Sequence, residues 1–517
     1  QTGFYIEREL SGGTFAQIAT VTSGTTYTDT TLSEATSYVY RVRAYGSTGD
    51  SSYSLTKSVS TPVNAPTNLT ATTVSTTEID LAWADNSSQE SFYSLQRSTD
   101  GGNTWSTTIQ LPANTTSYQD TGLTEGTTYT YQVQALKTGK NSAFTSSQSA
   151  TTLPAAPSDV VATVNSDTQV TVTWTNNSVG ATGATIQREV GGVWSLAGTV
   201  GAGIATFTDT GLTELTTYSY RVEATGSSGA SAWANGASSV TTLPAAPSGL
   251  TVSAPESDQV TLMWTDNSAG ATAYQVQRND NVGSGWVTIA TTDSSATTYT
   301  DVTVSEATDY SYRVRTVSNA LNSAYSNTAS ITTVPLDPDT LAATTISTSE
   351  IDLTWNDNSA GATHYLVERS DDGGNTFNQI ATLNGTANSY NDTGLTEGFS
   401  YQYQVRAQDD GGYSGYTDSV EATTLPAAAT GLTATPTAGQ IALNWTDVSN
   451  GEISYTVQRD NSGTWTTLSD LPANATSFTD TGATGGLDSG TTYQYRIFCT
   501  NPDGGNSAYT TMSATAT

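Results

Sequence analysis

Few residues in this chain can do chemistry, and most of those fall in a repeating pattern. His364 is the only histidine and Cys499 the only cysteine. A lone imidazole and a lone thiol build neither a nucleophilic triad nor a His/Cys zinc site. Carboxylates are abundant, with 47 Asp and Glu against 16 Lys and Arg, and a facing pair of carboxylates is the machinery of glycoside hydrolysis. Here they recur at matching loop positions along the chain, whereas an active site occurs once. No catalytic residue is therefore assigned, and the chain is not expected to be an enzyme. Calcium is the other candidate. Asp85-Asn86-Ser87, Asp266-Asn267-Ser268 and Asp357-Asn358-Ser359 offer oxygens in matching loops, as do Asp409-Asp410-Gly411 and Asp503-Gly504-Gly505. Calcium takes six to eight oxygens, no single loop has that spacing, and turns prefer the same residues. The expectation is no cofactor, with calcium at the joints between repeats left open.

The net charge of −31 repels phosphate backbones and anionic bilayers, which argues against nucleic-acid binding. No stretch approaches the roughly 18 apolar residues of a membrane span. Cys499 follows Ile497-Phe498 in an apolar run and reads as a buried strand residue. Trp105, Trp194, Trp286 and Trp465, with Phe15 and Phe377, share one repeated position. Exposed, they would form an aromatic row able to stack on sugar rings; large aromatics at a repeated position more often cap a core. Trp233 has no counterpart elsewhere and is the better candidate for a contact residue.

These residues are positioned by a repeat of about ninety residues. Trp83, Trp174, Trp264, Trp355 and Trp445 each end an alternating apolar strand, at spacings of 91, 90, 91 and 90. Tyr38, Tyr129, Tyr218, Tyr310, Tyr401 and Tyr493 open Tyr-x-Tyr-x-Val/Ile strands in the same phase. Arg8, Arg97, Arg188, Arg278, Arg369 and Arg459 close a third strand type. In one repeat the pattern predicts strands over 67–75, 78–83, 92–97, from Trp105, from Ser117, over 129–135 and over 143–152. Seven short strands with turns every 8–12 residues indicate a sandwich. The Trp of the second strand and the Tyr of the sixth are the expected core. Ser98–Trp105 and Ser370–Phe377 match the Asp box of sialidase-like propellers, a hairpin turn in that family and read as one here.

Pro-x-x-Leu, Trp, Tyr-x-Val-x-Arg, Asp-x-Gly-Leu and Tyr-x-Tyr-x-Val follow one another in order along the whole chain. This resembles the tandem fibronectin type III arrays of bacterial secreted or surface proteins. The resemblance implies an all-β chain of seven-stranded immunoglobulin-like sandwiches. It also implies a tyrosine corner at the first Tyr of each sixth strand, with Leu123, Leu212, Leu395 and Leu487 six residues earlier. The expected modules are 1–62, 63–153, 154–243, 244–334, 335–425 and 426–517. Proline-bearing joints restrict bending, so six modules of ~30–35 Å, from strands of about ten residues, would make an elongated rod of ~200 Å. The first module is read as incomplete, lacking two strands, either because the chain is a window on a longer array or because another chain donates them. The function expected is structural or adhesive and extracellular or cell-surface: a filament subunit, stalk or spacer of microbial type. Copies of itself or neighbouring repeats, and surface or environmental glycans, are the expected partners. The alternatives are an accessory or glycan-binding region of a polysaccharide-degrading enzyme, or the stalk of an adhesin or phage fibre.

Overall fold

The computed structural model describes residues 1–10, 12–280, 283 and 285–517, and every regular element among them is a β-strand. The second repeat shows how the sequence builds the fold. Its strands are β1 (Thr67–Thr73), β2 (Glu78–Ala84), β3 (Phe92–Ser98), β4 (Thr107–Pro112), β5 (Ser117–Thr121), β6 (Thr128–Leu136) and β7 (Gln148–Thr151). They pair antiparallel into a three-stranded sheet, β1-β2-β5, and a four-stranded sheet, β7-β6-β3-β4. Strand side chains alternate between faces. Ile79, Leu81 and Trp83 of β2 therefore meet Tyr93 and Leu95 of β3 and Tyr129, Tyr131 and Val133 of β6 in one core. The Trp83 and Tyr93 rings, from facing sheets, sit 5.8 Å apart. The pairs Trp264–Tyr274, Trp355–Tyr365 and Trp445–Tyr455 repeat that contact at 5.7–5.8 Å.

Two boundaries differ from the sequence reading. The fourth strand begins at Thr107, not at Trp105. The seventh is shortened to Gln148–Thr151, because Ser142 interrupts the stretch before it. The Ser142 hydroxyl accepts from the Ala135 amide at 2.9 Å and donates to the Ala143 carbonyl at 2.7 Å. Ser231, Ser323, Ser414 and Ser507 do the same against Ala224, Thr316, Ala407 and Cys499. A hydroxyl at each such point stands in for a ladder partner and lets the edge strand bend without leaving a buried amide unmet.

The third to sixth repeats carry the same pair of sheets, with strand order conserved, and each has its own apolar core. The first repeat differs. Among its described residues it forms one four-stranded sheet from Gly3–Leu10, Ala16–Val21, Ser37–Tyr45 and Lys57–Ser60. The inner face of that sheet, lined by Phe4, Ile6, Val21, Tyr27 and Val42, opens as a cleft of about 170 Å³. Contacts gather the chain into two compact units, Gln1–Leu243 and Pro244–Thr517.

Because each core is closed within its own repeat, damage should stay local. Trp264→Ala removes the largest ring from the fourth repeat and should cost ~3–5 kcal/mol there. Hydrogen exchange read by mass spectrometry should lose protection over 244–334 and keep it over 426–517. Loss along the whole of Pro244–Thr517 would show that the cores are not independent.

Candidate functional site

The arginines that close each third strand have a partner that no single motif revealed. Arg97 ends β3, Asp120 lies in β5, and Tyr131 is the second tyrosine of β6. Arg97 Nη1 stands 2.8 and 2.9 Å from the two Asp120 carboxylate oxygens, and the Tyr131 hydroxyl donates to Asp120 Oδ2 at 2.8 Å. Asp120 is buried. The triad recurs as Arg8–Asp29–Tyr40, Arg188–Asp209–Tyr220, Arg278–Asp301–Tyr312, Arg369–Asp392–Tyr403 and Arg459–Asp480–Tyr495. In the second to sixth repeats it ties the two sheets together, since Asp comes from one and Arg and Tyr from the other. Burial, then the Asp120 carboxylate, pushes the Tyr131 phenol strongly up. Burial also works to raise Asp29, but the Thr31 amide, Arg8 and Tyr40 outweigh it and hold that carboxyl at about 2.

The first tyrosine of each sixth strand does something different. The Tyr129 hydroxyl accepts from the Thr124 amide at 2.9 Å, pinning the preceding loop. Tyr38, Tyr218, Tyr310, Tyr401 and Tyr493 accept in the same way from Ser33, Thr213, Ser305, Thr396 and Asp488. Five of these tyrosines are buried, while Tyr493 is half-buried, in a loop that runs four residues longer than its counterparts. Trp83, Trp174, Trp264, Trp355 and Trp445 are all 4–5% exposed.

The pinned loop ends in a glutamate that reaches into the next repeat. Glu34 Oε2 accepts from the Asn64 amide at 2.8 Å and the Ser87 hydroxyl at 2.7 Å, while Oε1 accepts from the Ser88 amide at 2.8 Å. Glu125 holds the Ala155 amide, the Ser178 hydroxyl and the Val179 amide. Glu306 holds Leu336, Ser359 and Ala360, and Glu397 holds Ala427, Ser449 and Asn450. Each carboxylate thus grips the linker just past its proline and the first loop of the following repeat. The residue after each glutamate has left-handed φ: Ala35, Gly126, Ala307 and Gly398. Gly126 also packs so tightly on Gly180 that a Cβ on it would meet the Gly180 Cα at 2.6 Å. Gly398 and Gly451 repeat that approach. Burial works to raise Glu34, yet the Asn64 and Ser88 amides and the Ser87 and Ser88 hydroxyls draw it down to about 2.

Three of the loops read as calcium candidates are closed by hydrogen bonds of their own. Asp85 Oδ1 accepts from the Ser87 amide and the Tyr93 hydroxyl, and Asn86 donates to the Ala65 carbonyl and Thr67 hydroxyl. Asp357 and Asn358 repeat this with Ser359, Tyr365 and Asp337. Asp266 and Asn267 do so with Ser268, Ala246 and Ser248. Among the described residues no three His, Cys, Asp or Glu side chains cluster as a metal set would. The Asp boxes close on themselves: Asp100 accepts from the Ser98 hydroxyl and from the Thr104 amide and hydroxyl, and Asp372 accepts from Ser370 and Thr376 alike. His364 is exposed beside Thr363. Cys499 is buried, its thiol donating to the Ala427 carbonyl at 3.0 Å.

The repeated aromatics neither cap a core nor stand free. Trp105, Trp194, Trp286, Trp465, Phe15 and Phe377 are half-buried and belong to none of the core clusters. In four repeats they stack on an arginine of the sixth strand. The Arg221 guanidinium lies between Trp194 at 4.3 Å and Trp233 at 4.5 Å. Arg41 lies between Phe15 and Tyr53, Arg313 between Trp286 and Tyr325, and Arg496 between Trp465 and Tyr509. A guanidinium is weakly hydrated and takes an aromatic face readily. Trp233 is half of such a stack.

Two outcomes follow from the carboxylates. Asp120→Ala leaves Arg97 and Tyr131 without their acceptor and should destabilise the second repeat by ~2–3 kcal/mol, discounted from the fully buried case because a quarter of Arg97 is solvated; chemical denaturation would read it. Asp29 and Glu34 ionise at about 2 in the fold against 3.8 and 4.5 ordinarily. Their contribution is therefore complete above pH 4.5 and is lost as pH falls towards 2, so thermal stability of the first two repeats should drop across that window and not above it.

Residues 64–152 and 336–423 match the family model of the fibronectin type III domain. Exoglucanase B of Cellulomonas fimi is 33% identical over 292 residues, which cover 51% of this chain and 25% of that protein. Receptor-type tyrosine-protein phosphatase eta of Gallus gallus is 26% identical over 522 residues, covering 98% of this chain and 34% of that protein. The chain thus spans a quarter to a third of the length of these curated relatives. Among solved structures, chicken CNTN1 FN1-FN3 domains align at 19% identity and TM-score 0.23 over 52% of this chain and 99% of that one. A two-domain fibronectin type III segment of chicken tenascin aligns at 19% identity and TM-score 0.28, over 35% of this chain and 100% of that one. Residues 64–152 and 336–423 are fibronectin type III domains, and the chain is an all-β tandem array of β-sandwiches.

Proposed function

We propose that this chain is a non-catalytic extracellular spacer, whose work is to hold neighbouring repeats at fixed mutual geometry and so to set the placement of whatever it connects. The glutamate grip carries this reading. Four times, a carboxylate of one repeat takes two amides and a hydroxyl from the linker and first loop of the next. Hydrogen bonds to a charged acceptor are the strong ones, and a loose tether has no use for them. The carboxylates of the triads and of these four joints are engaged in holding the fold.

A second reading has its own support. The resemblance to part of Exoglucanase B favours an accessory region that separates other domains of a secreted polysaccharide-degrading enzyme. Both readings make the array a spacer and differ in what it separates. A filament subunit or an adhesive surface for glycans is the remaining reading, and the aromatic–arginine stacks would be its contact points.

Light scattering and electron microscopy of the purified chain, with a cellulose and xylan pull-down and hydrolysis assay beside them, separate these cases. The spacer reading expects a monomer at micromolar concentration, no hydrolysis and no retention on the polymers. Ordered filaments would replace it with a structural polymer, and retention abolished by Trp194→Ala with Trp233→Ala would replace it with an adhesive face.

A further inference from the structure

The joint between the fourth and fifth repeats contains a buried carboxylate with only half its hydrogen bonds. Asp409, the last residue of the sixth strand of the fifth repeat, is 8% exposed. Its Oδ1 accepts from the Gly411 amide at 2.8 Å and the Gly412 amide at 3.1 Å. Its Oδ2 is buried and has no donor. An ionised oxygen in that position has lost its water and gained nothing.

The next repeat shows what the position is built for. Asn501 occupies the same place in the sixth repeat and is 1% exposed. Its Oδ1 accepts from the Gly505 amide at 2.6 Å, as Asp409 Oδ1 does from glycine amides. Its Nδ2 donates to the carbonyls of Thr423 and Thr424, in the preceding repeat, at 3.1 Å each. The counterparts of those carbonyls beside Asp409 are Thr332 and Thr333. The Asp409 loop presses on both: a Cβ at Gly411 would come within 2.6 Å of Thr332 O and 2.7 Å of Thr333 O. Only acceptors stand where Asn501 supplies a donor.

We propose that Asp409 works as the proton-loaded equivalent of Asn501: with a proton on Oδ2 it donates to a backbone carbonyl of the fourth repeat and fastens this joint, and with the proton gone the joint slackens. A carboxylic acid has the shape of a carboxamide and an acceptor oxygen in the same place, with one O–H donor where the amide has two N–H, so the protonated form fits the asparagine site and makes one of its two donor contacts. The charged neighbours favour it. Asp410 lies on the same loop and Glu306 on the loop of the preceding repeat, and both add negative charge; burial, with these two, raises the Asp409 carboxyl above its ordinary 3.8 despite the two glycine amides. The other ionisable groups around the loop are Asp337 of the linker, which accepts from the Gly415 amide at 2.7 Å, and exposed His364, paired across the sheet with Gln408. A raised carboxyl stabilises the joint in acid and loses that effect as pH rises through its folded value. This is the opposite sign to the Glu34 joint.

The test is hydrogen exchange of the full chain from pH 4 to 8, corrected for intrinsic rates, in peptides spanning 328–340 and 405–416. Wild type should lose protection as pH rises, about tenfold for each pH unit that the folded value stands above the ordinary one. Asp409→Asn should hold its acid-level protection throughout. The reciprocal Asn501→Asp should acquire the same loss in peptides spanning 420–430 and 498–510. A flat wild-type profile, or an equal loss in Asp409→Asn, would overturn the proposal. So would recovery of wild-type protection at pH 7.5 on adding calcium chloride, since a cation rather than a proton would then be the missing donor.

Discussion

A carboxylate taken out of water must be met by donors, and this fold turns on how that requirement is satisfied twice, near the end of the fifth strand and again in the loop that follows it, as the second repeat shows. Asp120 looks inward and collects Arg97 and Tyr131 across the sandwich. Glu125, five residues later, looks outward and collects an amide of the linker with a hydroxyl and an amide of the next repeat. Tyr129, pinned to the amide of Thr124, fixes the path between them. Internal stability and joint geometry are thereby coupled through a stretch of ten residues. A change that disturbs the inner aspartate moves the platform from which the outer glutamate reaches.

This coupling explains a composition that otherwise looks wasteful. The chain carries 47 acidic residues and only 16 Lys and Arg, so few carboxylates can be paired with a cation. The arginines go to two places, the aspartates of the triads and the faces of aromatic rings. Many of the remaining buried or half-buried acids are met by amides and hydroxyls, which a backbone rich in turns and a Ser/Thr-rich sequence supply in quantity. Asp409 Oδ2 finds neither, and Asp80 Oδ1, Glu90 Oε2 and Asp352 Oδ1 share that lack.

Much of the fold was legible in the sequence. The alternation around Trp83 and Tyr129 has period two, recurs in phase, and so locates strands and core together. What was not legible depends on distance along the chain. Arg97, the Asp120 of Asp-x-Gly-Leu and the second tyrosine each stood out as a marker, but they are 11 to 34 residues apart and only the closed sandwich brings them together. The glutamate five residues beyond the first five of these aspartates is a repeat in the sequence, yet reads as surface charge until a following repeat is placed against it. The reading of Trp194 and its counterparts as core caps failed for a local reason. The strand they were thought to begin starts later in most repeats, and the nearby guanidinium offers them a face outside the core.

The central claim is that the glutamate grip fixes one repeat against the next. Because Cys499 is buried, cysteines introduced at exposed Gln110 and Leu196 can carry spin labels on the second and third repeats of the full chain. Pulsed electron–electron resonance should then give one narrow distance distribution, and Glu125→Ala should broaden it without unfolding either repeat. A broad distribution in the parent chain, or one that Glu125→Ala leaves unchanged, would contradict the account.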